Sequence, residues 1–188
     1  MERLILASGS PRRRELLELC GIPFECFTPE VDENCEGNPE ERIALLARRK
    51  AEAAGRMFPD RIALAADTLV FSKGIVLGKP KTYKDAESML KLLSGSTHMV
   101  YTGVCVIGEG RVLLDYDSTQ VRFSSLDDSV IHDYVRSKEP MDKAGAYGIQ
   151  GRAGMFVESI VGSYSNVVGL PMALVRKMLK QLSPYVNL

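Results

Sequence analysis

The sequence predicts a mixed α/β fold, and three observations carry that expectation. Residues 61–71 form a nearly unbroken apolar run, the pattern of a strand covered on both faces. The segments before it alternate short apolar runs with stretches of helical period. Residues 100–107 and 111–123 then read as two strands joined by a turn at Gly108, Glu109 and Gly110, which adds antiparallel members to the sheet.

Taken in order, residues 4–7 read as a strand and residues 11–20 as a helix, with Ser10 placed to cap it and Pro11 at its first position. A second strand over 24–29 precedes a long helix over 39–54, whose Ile43, Leu46, Ala47, Ala51 and Ala54 share one stripe. After the apolar run, Lys73 and Gly74 make a hairpin turn. Residues 85–93 form a helix with Ala86, Met89, Leu90 and Leu93 on one face, and Gly95 sits where a C-cap belongs. A short helix over 127–136 leads to a glycine-rich loop over 143–154, a strand over 155–160 and a closing helix over 170–182. There is no internal repeat. With 188 residues, 45% of them hydrophobic, the chain has the material for one domain over 1–188.

Composition excludes several classes of function. Lysine plus arginine and aspartate plus glutamate both number 24, so no global charge draws the chain to nucleic acid or membrane, and any anion site must be local. The apolar stretch at the N-terminus is too short for a signal-peptide core or a membrane span, which points to the cytoplasm. Cys20, Cys26, Cys35 and Cys105 lack CxxC spacing and read as reduced thiols. Two histidines, His98 and His132, leave little material for a zinc site or a histidine-dependent triad, and no GxSxG elbow surrounds Ser8 or Ser10. Hard-metal chemistry on carboxylates fits this inventory better.

Three places stand out as candidates. Arg12, Arg13 and Arg14 crowd the first turn of a helix whose dipole favours acidic residues there. They are either a solvated basic turn or a receptor for polyphosphate, whose oxygens guanidinium forks bind in pairs. Asp67 lies within an apolar strand, where a carboxylate is expensive to desolvate without a cation or donors, and Ala65 and Ala66 beside it leave room for a ligand. The alternative is that it caps a neighbouring turn. Lys50 falls on the apolar stripe of the long helix, so it snorkels to solvent or meets an anion, whereas Arg48 and Arg49 can sit in solvent. Glu33 and Lys79, in turn-like segments, read on their own as plain surface charges.

The strings LASGSPRRRELL, LAADTLV, LGKPKTYKDAESMLKLLSGSTHMVYTGV, EPMDKAGAYGIQG and NVVGLP occur in that order over essentially the whole chain. Together they resemble the Maf family of nucleoside triphosphate pyrophosphatases. The resemblance implies a mixed central sheet flanked by helices, with two lobes about a cleft as in the inosine triphosphate pyrophosphatase architecture, and a homodimer. It implies that Asp67 is the catalytic acid/base and that Arg12, Arg13, Glu33, Lys50 and Lys79 serve the phosphates and a divalent metal, Mg²⁺ or Mn²⁺. Glu33 and Asp67 would hold the metal, and Ser8 would join the substrate contacts. Arg12, Thr68 and Gln150 match the specificity positions of the branch acting on dTTP and UTP, modified pyrimidine nucleotides included. The glutamine amide both donates and accepts, matching the O4 and N3–H edge of uracil or thymine. The rival reading is a non-catalytic nucleotide-binding regulator of septum formation, which would be expected to lose Asp67 or Lys79. This chain keeps both.

Overall fold

The computed structural model describes residues 4–182. The elements run β1 (Leu4–Ala7), α1 (Pro11–Leu19), β2 (Phe24–Phe27), α2 (Pro39–Met57), β3 (Ala63–Ser72), β4 (Ile75–Leu77) and α3 (Tyr83–Leu93). There follow β5 (Thr97–Gly108), β6 (Arg111–Phe123), α4 (Asp128–Arg136), β7 (Val157–Val161), α5 (Tyr164–Val168) and α6 (Met172–Leu182). The seven strands form one mixed sheet in the order β2-β1-β3-β5-β6-β7, with β4 paired to β3. β1 runs parallel to β2 and β3, while β4 pairs antiparallel with β3 and β7 antiparallel with β6. This is the mixed α/β sheet expected from the apolar run and the two later strands.

Local chemistry sets the helix starts more sharply than periodicity does. Asn38 and Glu41 form a reciprocal capping box on α2, with Glu41 N–H donating to Asn38 Oδ1 at 2.8 Å and Asn38 N–H to Glu41 Oε2 at 3.1 Å. Thr82 and Asp85 do the same for α3, which therefore begins at Tyr83, two residues before the start expected at Asp85. Ser10 occupies the N-cap of α1 in extended conformation and Pro11 its first position, as expected, but the Ser10 side chain makes no capping bond.

Two further differences lie late in the chain. The glycine-rich loop is organised by the short 3-10 turns Glu139–Asp142, Ala144–Ala146 and Arg152–Phe156, the last of which delays β7 to Val157. Residues 164–168, given no element by the sequence pattern, form the single-turn α5, too short to show a helical period.

The chain divides into two compact units, one of residues 4–67, Thr102–Asp117 and 169–182, the other of Thr68–Tyr101 and Ser118–Val168. In the first, Ala47, Ala51 and Ala54 of α2 pack with Ile5, Ala7, Ala63, Ala65 and Cys105. These small side chains let α2 approach the sheet closely. At Gly103 a Cβ would stand 2.6 Å from the Ile43 carbonyl oxygen, so only glycine fits beneath the helix. The second unit has an aromatic core in which Phe123, Tyr134, Tyr147 and Phe156 join Leu90, Leu93, Val100 and Ile131.

Candidate active site

In the first unit, β1 delivers the chain to the buried Ser8 at the start of α1. The Ser8 hydroxyl oxygen accepts from the Ser10 N–H at 3.2 Å and from Arg13 Nη1 at 3.1 Å. Arg13 Nε also donates to the Gly169 carbonyl at 2.7 Å, a link across 156 positions of sequence. The Arg13 guanidinium is thus fixed from two sides and is not a loose solvated side chain. Burial lowers the Arg13 pKa; attraction from Asp67 opposes this, repulsion from Arg12 adds to it, and attraction from Glu33 opposes it. Arg12, Arg13, Glu33 and Asp67 therefore share one electrostatic neighbourhood.

Lys50 is the hub of the acidic pair. Its Nζ lies 2.6 Å from Asp67 Oδ1 and 2.9 Å from Glu33 Oε1. Only 14% of the Lys50 side chain and 16% of Asp67 are exposed, against 66% for Glu33. Lys50 thus meets an anion, the alternative that its place on the apolar stripe left open, and Asp67 has the cation its strand position requires. Removing the Lys50 charge would strand the Asp67 carboxylate, which costs about 3–5 kcal/mol at full burial and less here, whereas Lys50 keeps Glu33 if the Asp67 charge is lost.

Arg49, the neighbour of Lys50, has a sequence position that allows it to sit in solvent. It instead donates from Nη1 to the carbonyls of Asp32 at 2.7 Å and Asn34 at 3.0 Å, the residues on either side of Glu33. Within the same loop the Asn34 N–H donates to Asp32 Oδ1 at 2.9 Å. Consecutive residues of α2 therefore hold the backbone and the carboxylate of the Glu33 segment. Hydrophobic periodicity carries no signal for bonds to loop carbonyls.

In the second unit, Thr68 follows Asp67 directly on β3, and Lys79 lies exposed just beyond β4. The carbonyl of Gly78, next to Lys79, accepts from the Gly145 N–H at 3.0 Å, tying this segment to the glycine-rich loop. The amide oxygen of Gln150 on that loop is buried without a hydrogen-bond partner among the described residues. Leaving such an acceptor unmet costs about 1–3 kcal/mol, which a ligand N–H would recover. Of the expected site residues, Ser8, Arg12, Arg13, Glu33, Lys50 and Asp67 thus group in one unit, and Thr68, Lys79 and Gln150 belong to the other.

The donor set suits a hard cation held partly by substrate. Among the described residues no group of three or more His, Cys, Asp or Glu could hold a metal by itself. Glu33 and Asp67 already converge on a single positive charge, and Mg²⁺ asks a protein for one or two carboxylates, taking its other ligands from phosphate and water. The four cysteines are free thiols, and burial pushes the Cys105 thiol up to about 12, so it stays protonated. Among the described residues no helix is long and apolar enough to cross a membrane.

Comparison with known proteins identifies the family. The family described as "Maf-like protein" matches residues 3–182. A dTTP/UTP pyrophosphatase of Bacillus cereus (strain G9842) is 49% identical over 183 residues, covering 96% of each chain. Proteins of the same name from Bacillus cereus (strain AH820) and Bacillus anthracis are 48% identical over 185 residues, covering 97% of each chain. With the family match spanning nearly the whole chain, and relatives this similar over 96–97% of it, the chain belongs to the Maf family.

Proposed function

We propose that the protein hydrolyses dTTP and UTP, modified pyrimidine nucleotides included, to the nucleoside monophosphate and pyrophosphate. The observation that carries this reading is the half-buried Asp67, held by Lys50 beside Glu33 within the field of Arg13. The names of the similar Bacillus proteins supply the substrate class.

Lys50 takes Asp67 Oδ1, so Oδ2 is the oxygen that accepts the proton of the attacking water. The water oxygen bonds to the α-phosphorus, the bond from that phosphorus to the bridging oxygen breaks, and pyrophosphate leaves. Arg12, Arg13, Lys50 and Lys79 offset the charge of the leaving group, since phosphoryl transfer asks mainly for positioning and charge stabilisation. Glu33 and Asp67 would hold Mg²⁺ or Mn²⁺, which when bound supplies Lewis-acid polarisation and a lowered water pKa. Arg12, Thr68 and Gln150 select the pyrimidine, with the buried amide oxygen of Gln150 accepting the N3–H of uracil or thymine. Action in the cytoplasm and as a homodimer belong to the same proposal, the homodimer resting on the family resemblance.

Turnover of UTP in ¹⁸O-labelled water tests the point of attack. The expected label is in UMP alone; label in pyrophosphate, or release of inorganic phosphate with UDP, would contradict hydrolysis at the α-phosphorus.

A further inference from the structure

The second unit contains a buried polar pair that the proposed reaction does not use. His98, 2% exposed on β5, meets the Tyr147 hydroxyl through Nε2 at 2.7 Å. Both rings pack edge-to-face on Phe123, with centroids 5.0 Å and 4.7 Å from it, and on each other at 5.3 Å. Tyr147 is itself buried and belongs to the glycine-rich loop, three residues before Gln150.

The loop is strained where it reaches this pair. Ala146 adopts a left-handed backbone at φ 60, a strained conformation for a non-glycine residue that persists only where the surroundings over-determine it. Its neighbours do so. Upstream, Gly145 at φ 67 donates to the Gly78 carbonyl, and a Cβ there would stand 2.9 Å from Val70. Downstream, Tyr147 is bonded to His98. Past Gln150, the Arg152 N–H donates to Glu139 Oε2 at 3.4 Å, and the Tyr134 hydroxyl donates to the other oxygen of that carboxylate at 3.2 Å. Gln150 therefore lies between two anchored points of backbone.

We infer that His98 is a positioning residue for base selection: through its hydrogen bond to Tyr147 it fixes the loop that carries the Gln150 amide. This rests on the reading of Gln150 as the residue that reads the pyrimidine. The physical reasoning is that uracil and cytosine present opposite donor and acceptor patterns at positions 3 and 4, and an amide can match either by turning over. Selectivity for uracil thus depends on how firmly the amide is held. Burial pushes the His98 imidazole down to about 4, so it is neutral at ordinary pH and the pair is a bond between uncharged groups.

The experiment measures kcat and KM for UTP, CTP and GTP with Gln150→Glu, Tyr147→Phe, His98→Phe and His98→Gln, alongside melting temperatures. Tyr147→Phe keeps the ring packing and removes only the hydroxyl, so it decides the matter even if His98→Phe fails to fold. The expected result is a UTP-to-CTP ratio of kcat/KM lowered about tenfold in Tyr147→Phe and His98→Phe, mainly through KM for UTP. His98→Gln, whose amide can still bond the hydroxyl, should recover most of the ratio. Equal losses for all three nucleotides, or an unchanged ratio in Tyr147→Phe, would overturn the positioning role. If Gln150→Glu leaves selectivity between UTP and GTP unaltered, the base-reading role fails and this inference falls with it; if only the Tyr147 and His98 variants leave selectivity unaltered, Gln150 keeps its role and His98 loses its own.

Discussion

Asp67 and His98 show how the same low-dielectric interior sets two groups to different uses. Asp67 is stabilised as part of an ion pair, because Lys50 at 2.6 Å supplies the charge that desolvation demands. In Asp67→Asn, Lys50 keeps Glu33 at 2.9 Å and an amide oxygen in place of the carboxylate, so the fold survives while the proton acceptor is lost. The expected outcome is kcat for UTP reduced by about 10³-fold or more with a melting temperature near that of the parent, checked by steady-state kinetics and circular dichroism. A fully active variant would remove Asp67 from the chemistry. His98 is instead held uncharged, its pKa lowered from 6.5 to about 4. Above 6.5 the residue is mostly neutral in both folded and unfolded chains. As pH falls from 6.5 towards 4 the unfolded chain takes up a proton that the folded chain refuses, so stability falls across that window by on the order of 3 kcal/mol. Urea unfolding at pH 7.0 and 4.5 should show this loss, and His98→Gln should flatten the histidine-dependent part of it.

At the scale of elements, α2 organises the first unit's share of the site. Its small apolar stripe seats it against the sheet, closely enough that Gly103 leaves no room for a methyl group. That seating aims Lys50 at Asp67 and carries Arg49 to the carbonyls around Glu33. Arg49→Ala should therefore loosen the segment around residues 32–34 and reduce kcat/KM for UTP about five- to twentyfold, the loss of one or two hydrogen bonds from a charged donor. Arg48→Ala should leave the rate unchanged, because Arg48 pairs with Glu52 one turn away on the exposed face. Equal effects of the two variants would show that Arg49 acts only as a surface charge. The stripe and the place of Lys50 on it were legible in the sequence, because a 3.6-residue period encodes which side chains face inward. Arg49 was not, because a helical position just off the stripe can reach a loop or water equally well. The start of α2 at Pro39 was legible, and that of α3 was legible in principle, because Thr82 and Asp85 are spaced as a capping box.

At the scale of the whole molecule, the sheet and the order of its elements follow from local pattern, and the family follows from five ordered motifs spread along the chain. What local pattern does not encode is pairing at a distance. The Arg13 bond to the Gly169 carbonyl and the His98 bond to Tyr147 join residues 156 and 49 positions apart, and neither partner marks the other in sequence. The alternation of β5 does place His98 on the buried face with Val100 and Thr102, a signal that a polar residue there needs a partner. The glycine-rich loop was legible as a place needing backbone freedom, whereas its 3-10 turns depend on contacts made only after folding. The most direct test of the proposed activity is pyrophosphate release by the purified protein from UTP, dTTP, CTP, GTP, ATP and 7-methyl-GTP, each with Mg²⁺, with Mn²⁺ and with EDTA. The expected result is turnover of UTP and dTTP well above the other nucleotides, abolished by EDTA; nucleotide binding without turnover of any of them would contradict it and favour a non-catalytic sensor.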